Sequence, residues 1–256
     1  MKVIMLGDIV GSRGCDFVRS RLPALRKLCG ADLVVANGEN AADGNGILPA
    51  SAESLFASGV DVITLGNHGL RRREITDYIE EQEALVRPAN LHPSAPGRGV
   101  YVYDRPGLPR TAVVSLLGTC YMDWQRSPFD CMDALLEELD CPVVLVDFHA
   151  EATSEKLSMA FYLDGRVSAV AGTHTHVQTA DERILPGGTG YITDLGMCAS
   201  FNSVLGVRPH LAIRRLRTAL PTRFDNDDGA VRMSGALFDI DEKSGKTRSV
   251  ERINIE

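Results

Sequence analysis

Val3-Ile4-Met5-Leu6-Gly7-Asp8 is the first of five short apolar runs that each lead to a residue able to bind a metal ion. The other four are residues 33–36, 60–65, 142–148 and 167–171, which lead to Asn37-Gly38-Glu39-Asn40, Gly66-Asn67-His68, His149 and Gly172-Thr173-His174-Thr175-His176. Short runs rich in β-branched residues are typical of buried strands. If the five strands are neighbours in one sheet, their carboxyl ends bring these polar side chains to one edge, where open α/β sheets bind ligands.

The order of elements predicts an α/β fold. Helical patterns at 15–29, 51–58, 73–85 and 130–139 alternate with the apolar runs, which favours a largely parallel sheet with helices on its faces. Residues 99–117 and 231–255 instead have a strand–turn–strand pattern and indicate a second sheet, giving a sandwich of two sheets with helices outside. No linker or repeat divides the chain, so we expect one domain over residues 1–256.

Composition narrows the function classes. The chain has 256 residues, 44% hydrophobic and 24% charged, which is ordinary for a soluble globular protein. Its formal net charge of −7 argues against an extended nucleic-acid surface or an anionic membrane as partner, and no apolar run is long enough to cross a membrane. Six cysteines without metal-binding or CxxC spacing predict reduced thiols and a cytoplasmic protein. A homo-oligomer is compatible with such a chain.

The polar residues at the strand ends predict a metal site. Carboxylate, amide oxygen and imidazole together suit Mn, Fe, Co or Zn. The candidate ligands are Asp8, Glu39, Asn40, Asn67, His149, His174 and His176. Seven ligands are too many for one four-coordinate ion and suit two ions about 3.5–4 Å apart with one carboxylate between them, a pair that clamps a phosphate and activates a water.

Each candidate also has a simpler interpretation. Asp8 could cap a turn or helix, Asn67 could be a turn residue, and His149 could be a buried polar residue without a ligand. The pair His174-x-His176 is the most specific, because residues two apart on an extended segment face the same way. His68 adjoins a candidate ligand and could supply a proton to a leaving oxygen, or only orient its neighbours.

Two further features stay open. Arg71-Arg72-Arg73 could hold a phosphate, although a solvated charge run at a helix start is the preferred interpretation. Trp124 could line a pocket for a base, whereas packing is the ordinary role of such a residue.

The motifs resemble a known family. Gly7-Asp8, Gly66-Asn67-His68, the later His149 and Gly172-Thr173-His174-Thr175-His176 resemble the ordered motifs of calcineurin-like metallophosphoesterases. Residues 37–42, 147–156 and 172–181 are similar to one branch, the YmdB-type phosphodiesterases. The chain departs from that branch at Gly69-Leu70-Arg71 and at Cys198-Ala199-Ser200, which puts the orientation of His68 and the choice of substrate in question.

The resemblance implies a four-layer αββα sandwich of two mixed sheets flanked by helices. It also implies two divalent or trivalent transition-metal ions, with Fe or Mn favoured and Zn or Co as alternatives. The first ion would bind Asp8, Glu39 and His176, with Asn40 as a further candidate, and the second would bind Glu39, Asn67, His149 and His174. The expected activity is hydrolysis of small phosphodiesters, above all 2′,3′-cyclic nucleotides, by attack of a metal-activated hydroxide with His68 as general acid.

Three other functions remain in view. A phosphomonoesterase or nucleotidase would use the same metals, since ester specificity lies in the pocket walls. A non-catalytic regulator would bind the metals without turnover. A dinucleotide-binding protein would use Gly7, Gly11 and Gly14, but their GxxxGxxG spacing differs from GxGxxG and the histidines would have no role.

Overall fold

The computed structural model describes residues 1–123 and 125–256, so Trp124 and its two proposed roles lie outside the described residues. The helices in the described residues are α1 (Gly11–Cys29), α2 (Pro49–Ala57), α3 (Ile75–Glu81), α4 (Pro128–Glu138), α5 (Thr153–Tyr162) and α6 (Pro209–Thr218). The strands there are β1 (Lys2–Leu6), β2 (Asp8–Ile9), β3 (Leu33–Asn37), β4 (Val62–Thr64), β5 (Leu85–Val86), β6 (Val100–Tyr103), β7 (Thr111–Leu117), β8 (Val143–His149), β9 (Ala169–Thr173), β10 (Arg183–Ile184), β11 (Gly190–Ile192), β12 (Met197–Ser200), β13 (Val231–Ile240) and β14 (Thr247–Ile255).

These strands form two mixed sheets. The first has eight strands in the order β2-β12-β13-β1-β3-β4-β5, with β14 paired to β13, and the second has six in the order β10-β11-β9-β8-β7-β6. The five strands that lead to candidate ligands are not all neighbours in one sheet, because β1, β3 and β4 belong to the first sheet and β8 and β9 to the second. All residues of the five runs except Asp61 and Pro142 are buried, on both faces of their sheets, so the apolar pattern does not indicate which sheet each run joins.

Alternating side chains build the four layers. Val34 packs in a core cluster with residues of α1 and α2, whereas the next residue, Val35, packs in the cluster between the sheets. The second sheet has the same alternation, since Leu145 faces the inner cluster and Val146 faces α4 and α5. This period of two is what a strand buried on both faces requires. The predicted αββα sandwich is confirmed.

Some predicted elements differ in the structure. The predicted helix at 73–85 is shorter, because α3 ends at Glu81 and Gln82 is already extended, so that Leu85 can pair with Ile63 of β4. Helices α5 and α6 were not predicted. The hairpins β6–β7 and β13–β14 lie where the sequence indicated, but they join different sheets. Among the described residues, none of the helices combines the length and the hydropathy needed to span a membrane.

Candidate metal centre

The carboxyl ends of strands from both sheets meet at one edge of the sandwich. Asp8 lies in β2, Glu39 and Asn40 follow β3, and Asn67 and His68 follow β4. On the second sheet, His149 ends β8, and His174 and His176 follow β9. Asp8, Glu39 and His149 are fully buried there. The structure therefore brings together all eight residues that the sequence singled out.

One half of the site converges on a single nitrogen. The Nε2 atom of His149 lies 3.1 Å from Oε1 of Glu39 and 3.0 Å from Oδ1 of Asn67. Nδ1 of His174 lies 3.1 Å from the same nitrogen. Glu39, His149 and His174 each offer a ligand atom within 4.8 Å of the others. Carboxylate, amide and imidazole donors gathered in this way could hold a transition-metal ion.

The other half is built from Asp8 and His176. Oδ1 of Asp8 lies 3.5 Å from Nε2 of His176, and Oδ2 accepts a hydrogen bond from the backbone N–H of His174 at 3.0 Å. Nδ1 of His176 lies 3.0 Å from the backbone carbonyl oxygen of Leu205. Because a carbonyl only accepts, Nδ1 of His176 carries a proton. Burial would lower the pKa of His176, but Asp8 raises it, so Nε2 donates a second proton to Oδ1 of Asp8.

Asn40 connects the two halves through its amide nitrogen. Nδ2 lies 3.2 Å from Oδ1 of Asp8, 3.3 Å from Oε1 of Glu39 and 3.2 Å from Nε2 of His176. Its oxygen instead faces Nδ1 of His68, at 2.8 Å. An amide binds a cation through oxygen, so Asn40 could become a ligand only after a rotation that exchanges its two ends.

His68 lies beside both halves of the site, and one of its ring nitrogens is engaged in a hydrogen bond. Its backbone N–H donates to Oε2 of Glu39 at 2.9 Å, and Nδ1 donates to the oxygen of Asn40. Its side chain keeps 25% exposure, unlike the buried Glu39. Burial lowers the pKa of His68 below its ordinary value, and the charge of Glu39 offsets part of that shift. The arrangement leaves Nε2 as the nitrogen available for proton transfer.

The charges of the site call for a cation. Burial would raise the pKa of Glu39, but the neighbouring His149 lowers it, so the carboxylate is ionised. Burial would likewise lower the pKa of His149, yet Glu39 raises it to about 9. Asp8 is also held ionised, because His176 outweighs the effect of its burial on the pKa. The proton that His149 retains marks a position where the acceptors around Nε2 stabilise positive charge, and a bound metal ion would supply that charge.

A buried hydrogen-bond network orients His149, and the sequence analysis did not predict it. Nδ1 of His149 lies 2.8 Å from the hydroxyl of Thr173, which donates to Oδ1 of Asp147 at 2.6 Å. Thr64 and Asn37 donate to the other oxygen of Asp147. Such partners fix the tautomer and direct Nε2 toward Glu39. The only sequence signal was the position of Asn37 and Asp147 beside predicted ligands.

The turn between the last two histidines rests on a buried ion pair. Thr175 donates from its backbone N–H and its hydroxyl to Oδ2 of Asp194, at 3.1 and 2.7 Å. Lys156 of α5 donates to the same oxygen at 2.6 Å. His174 and His176 both have positive φ, a strained conformation for residues with a side chain. The Asp194 contacts hold that conformation, and local sequence gave no sign of them.

Two other neighbours of the site have structural roles. A Cβ on Gly66 would lie 2.3 Å from a ring carbon of His149, so only glycine allows β4 to end this close to the histidine. Arg72 donates to the backbone carbonyls of Asn45 and Ala42, at 2.8 and 3.2 Å. The arginine run is therefore more than a solvated charge run, because its middle residue holds the loop that follows Asn40.

The chain is similar to known proteins over nearly its whole length. A family model described as YmdB-like protein matches residues 4–253. The chain is 44% identical over 257 residues to a 2′,3′-cyclic-nucleotide 2′-phosphodiesterase of Bacillus subtilis (strain 168), covering 100% of this chain and 97% of the relative.

Two crystal structures have the same fold. A hypothetical protein from Thermus thermophilus superimposes with a TM-score of 0.94 at 39% identity, covering 99% of this chain and 98% of the other. A structure described as a novel phosphatase from Mycoplasma pneumoniae superimposes with a TM-score of 0.95 at 35% identity, covering 100% and 93%. These proteins are similar to this chain over nearly their whole length.

Proposed function

The chain belongs to the YmdB-like family, and from that premise we propose that it is a metal-dependent phosphodiesterase that hydrolyses 2′,3′-cyclic nucleotides. The Bacillus subtilis relative carries this activity in its name. The observation that carries the proposal to this chain is the convergence of Glu39, Asn67 and His174 on Nε2 of His149. Nearly complete coverage of the relative supports the same chemistry in both chains.

The donor set fits two ions. One would bind Asp8, Glu39 and His176, and the other Glu39, Asn67, His149 and His174. Glu39 suits the shared position, because its Oε1 atom lies near His149 on one side and Asn40 on the other. These nitrogen and oxygen donors suit Mn, Fe, Co or Zn alike, and the resemblance to the YmdB-type branch is what favours Fe or Mn. When bound, the ions would supply Lewis acidity at the phosphoryl oxygens and a lowered pKa for the attacking water.

The residues of the chain supply orientation and a proton. Asp147 and Thr173 hold the ring of His149, and Asp194 holds the turn that carries His174. Nδ1 of His68 donates its proton to the oxygen of Asn40, so the transferable proton is the one that Nε2 carries when His68 is an imidazolium. Donation from Nε2 to the leaving ribose oxygen would neutralise the charge that develops as the ester bond breaks.

A phosphomonoesterase is a second candidate, favoured by the similarity to the Mycoplasma pneumoniae structure described as a phosphatase. The same donor set would serve it, because both reactions place a phosphoryl group at the metals. The two functions differ in the leaving group, which the pocket walls select.

Hydrolysis of 2′,3′-cyclic AMP and of adenosine 3′-monophosphate, compared with manganese added, separates the two candidates. The phosphodiesterase converts the cyclic diester to a monoester and leaves the monoester intact. Release of inorganic phosphate from the monoester at an equal or higher rate would contradict the proposal and favour the phosphatase. Phosphorus NMR of the product identifies which ester bond is cut.

The proposal also covers where the protein is located and whether it forms an oligomer. The six cysteines all have free thiols, which supports a reducing compartment such as the cytoplasm. That residues 1–256 form one domain stays a prediction, and so does the assembly of the chain into a homo-oligomer. Light scattering of the purified protein measures the second.

A further inference from the structure

A groove of about 320 Å³ begins at His176 and lies over the inner face of the first sheet. Ser234 and Arg232 of β13 alternate with Met233, whose side chain packs in the outer core, so both line the opposite face. Ser234 pairs with Asn254 of β14, which places the side chain of Asn254 on the same face. We call this cavity the His176 groove; its walls include His176, Gln178, Phe201, Arg232, Ser234 and Asn254.

One wall offers a flat surface for stacking. The guanidinium carbon of Arg232 lies over the Phe201 ring, 4.6 Å from its centre, in a cation–π contact. Nη2 of Arg232 donates to Glu256, whereas its Nε is buried without a hydrogen-bond partner among the described residues. Arginine planes and aromatic rings are the surfaces on which proteins stack nucleobases.

The same face of the sheet also offers directional hydrogen bonds. Nε2 of Gln178 donates to the carbonyl oxygens of Gly235 and Ile253, both at 2.9 Å, which fixes the orientation of the amide. Oε1 of Gln178 then accepts from Nδ2 of Asn254 at 3.3 Å. This contact uses one of the two Asn254 N–H groups, so its other N–H and its oxygen remain to contact a ligand as a donor–acceptor pair.

We propose that the His176 groove binds the base of the nucleotide substrate, by stacking on Arg232 and Phe201 and by hydrogen bonds from Asn254. The inference rests on the proposed function, since it takes the phosphate to lie at the metal site. His176 lines the groove and also lies 3.5 Å from Asp8 in the metal site, so the groove begins beside the position at which the phosphate would lie. A donor–acceptor pair beside a stacking surface suits a heterocyclic base and has no use for a simple alkyl ester.

A larger groove of about 590 Å³ lies between β6 and α4, lined by Arg87, Arg126 and Glu138. None of the metal-site residues is among its walls, so a substrate held at the metals does not place its base there. The size of a groove therefore does not identify the base site. We choose the His176 groove because it adjoins the metal site through His176.

Calorimetric titration of the manganese-loaded protein with adenosine 3′-monophosphate and with inorganic phosphate tests the inference. The wild type binds the nucleotide at least about tenfold more tightly than phosphate, because only the nucleotide fills the groove. Arg232→Ala and Asn254→Ala each remove most of that difference and leave the affinity for phosphate unchanged. Arg248→Ala, an exposed arginine at the far end of β14, is the matched control and changes neither affinity.

Equal affinities for nucleotide and phosphate in the wild type, or groove variants that keep the wild-type difference, would overturn the inference. Unchanged phosphate binding by a variant shows that the variant is folded, and exposed Asn254 gives a second variant if Arg232→Ala fails to fold. Turnover of bis(p-nitrophenyl) phosphate, a diester without a base, tests the proposed function separately. A protein that binds the nucleotide through the groove and cleaves no diester would refute the phosphodiesterase alone.

Discussion

Lys156 and Asp194 form an ion pair in which both side chains are only 1% exposed, with Nζ 2.6 Å from Oδ2. Asp194 also accepts two hydrogen bonds from Thr175, the residue between the two histidines of the last turn. A salt bridge between α5 and the segment after β11 therefore fixes the backbone that positions two candidate ligands. The two candidate ligands are thus held in place by residues outside the candidate metal site.

Lys156→Met tests this dependence. The variant leaves the Asp194 carboxylate buried without its cation, a change that destabilises proteins by about 3–5 kcal/mol. We expect a lower free energy of unfolding in urea and a weaker affinity for manganese, since the turn at Thr175 loses its anchor. Arg166→Met, in an exposed ion pair with Asp133, is the control and changes stability far less. Equal effects of the two substitutions would refute the role of the buried pair.

Asp147→Asn probes the network behind His149. The amide replaces an acceptor with a donor facing Thr173, Thr64 or Asn37, so the hydroxyl of Thr173 can no longer fix Nδ1 of His149. Substitutions of this kind cost about 10- to 100-fold in metal affinity. Competition with a metal indicator measures the loss. Asp133→Asn, a surface substitution of the same chemistry, gives the reference, and an affinity equal to that reference would contradict the assignment.

Metal affinity should rise with pH. Glu39 raises the pKa of His149 to about 9 against the effect of burial, so Nε2 is protonated at neutral pH and a metal ion must displace that proton. Glu39 and Asp8 have lowered pKa values and are already ionised, so neither releases a proton when a metal ion binds. Release of at least one proton makes the association constant for manganese increase at least about tenfold per pH unit between about pH 6 and pH 8. Calorimetry in two buffers counts the protons, and an affinity independent of pH would show that His149 is not protonated in the metal-free protein.

His68→Ala separates proton donation from metal binding. Loss of a general acid lowers turnover about 10²- to 10⁴-fold, whereas the proposed ligands are untouched. We expect the variant to keep its metal content by mass spectrometry while hydrolysis of 2′,3′-cyclic AMP falls by that factor. His92→Ala, at an exposed histidine bonded to Ser94, is the control. A His68 variant that has lost its metals, or retains full turnover, would contradict the role of His68 as the acid.

Much of the fold follows from local patterns in the sequence. The β-branched runs that become β1, β3, β4, β8 and β9 are short and bounded by polar residues, so their strands and carboxyl ends were predictable. Their division between two sheets was not, because a strand buried on both faces has the same composition in either sheet. The two-residue strand β5 was hidden in a helical pattern, since Leu85 pairs with β4 only in the folded chain.

The candidate site, like the fold, was predictable from the sequence only in part. Asp8, Glu39 and His149 were identified because each follows an apolar run, and the structure brings them together; their roles as ligands stay predictions. The contact between Lys156 and Asp194 spans 38 residues and has no periodic signal. The orientation of the Asn40 amide likewise depends on contacts with Asp8 and His68, and both residues lie far from Asn40 in the sequence. Long-range hydrogen bonds of this kind can be recognised only in three dimensions.

The metal-dependent hydrolysis itself can be followed by titrating the metal-free protein with manganese while the turnover of 2′,3′-cyclic AMP and the metal content are measured. We expect no hydrolysis without metal, a rise that levels off at two bound ions per chain, and complete loss with a chelator. Hydrolysis by the metal-free protein, or a chain with two bound ions that leaves the cyclic diester intact, would contradict this expectation.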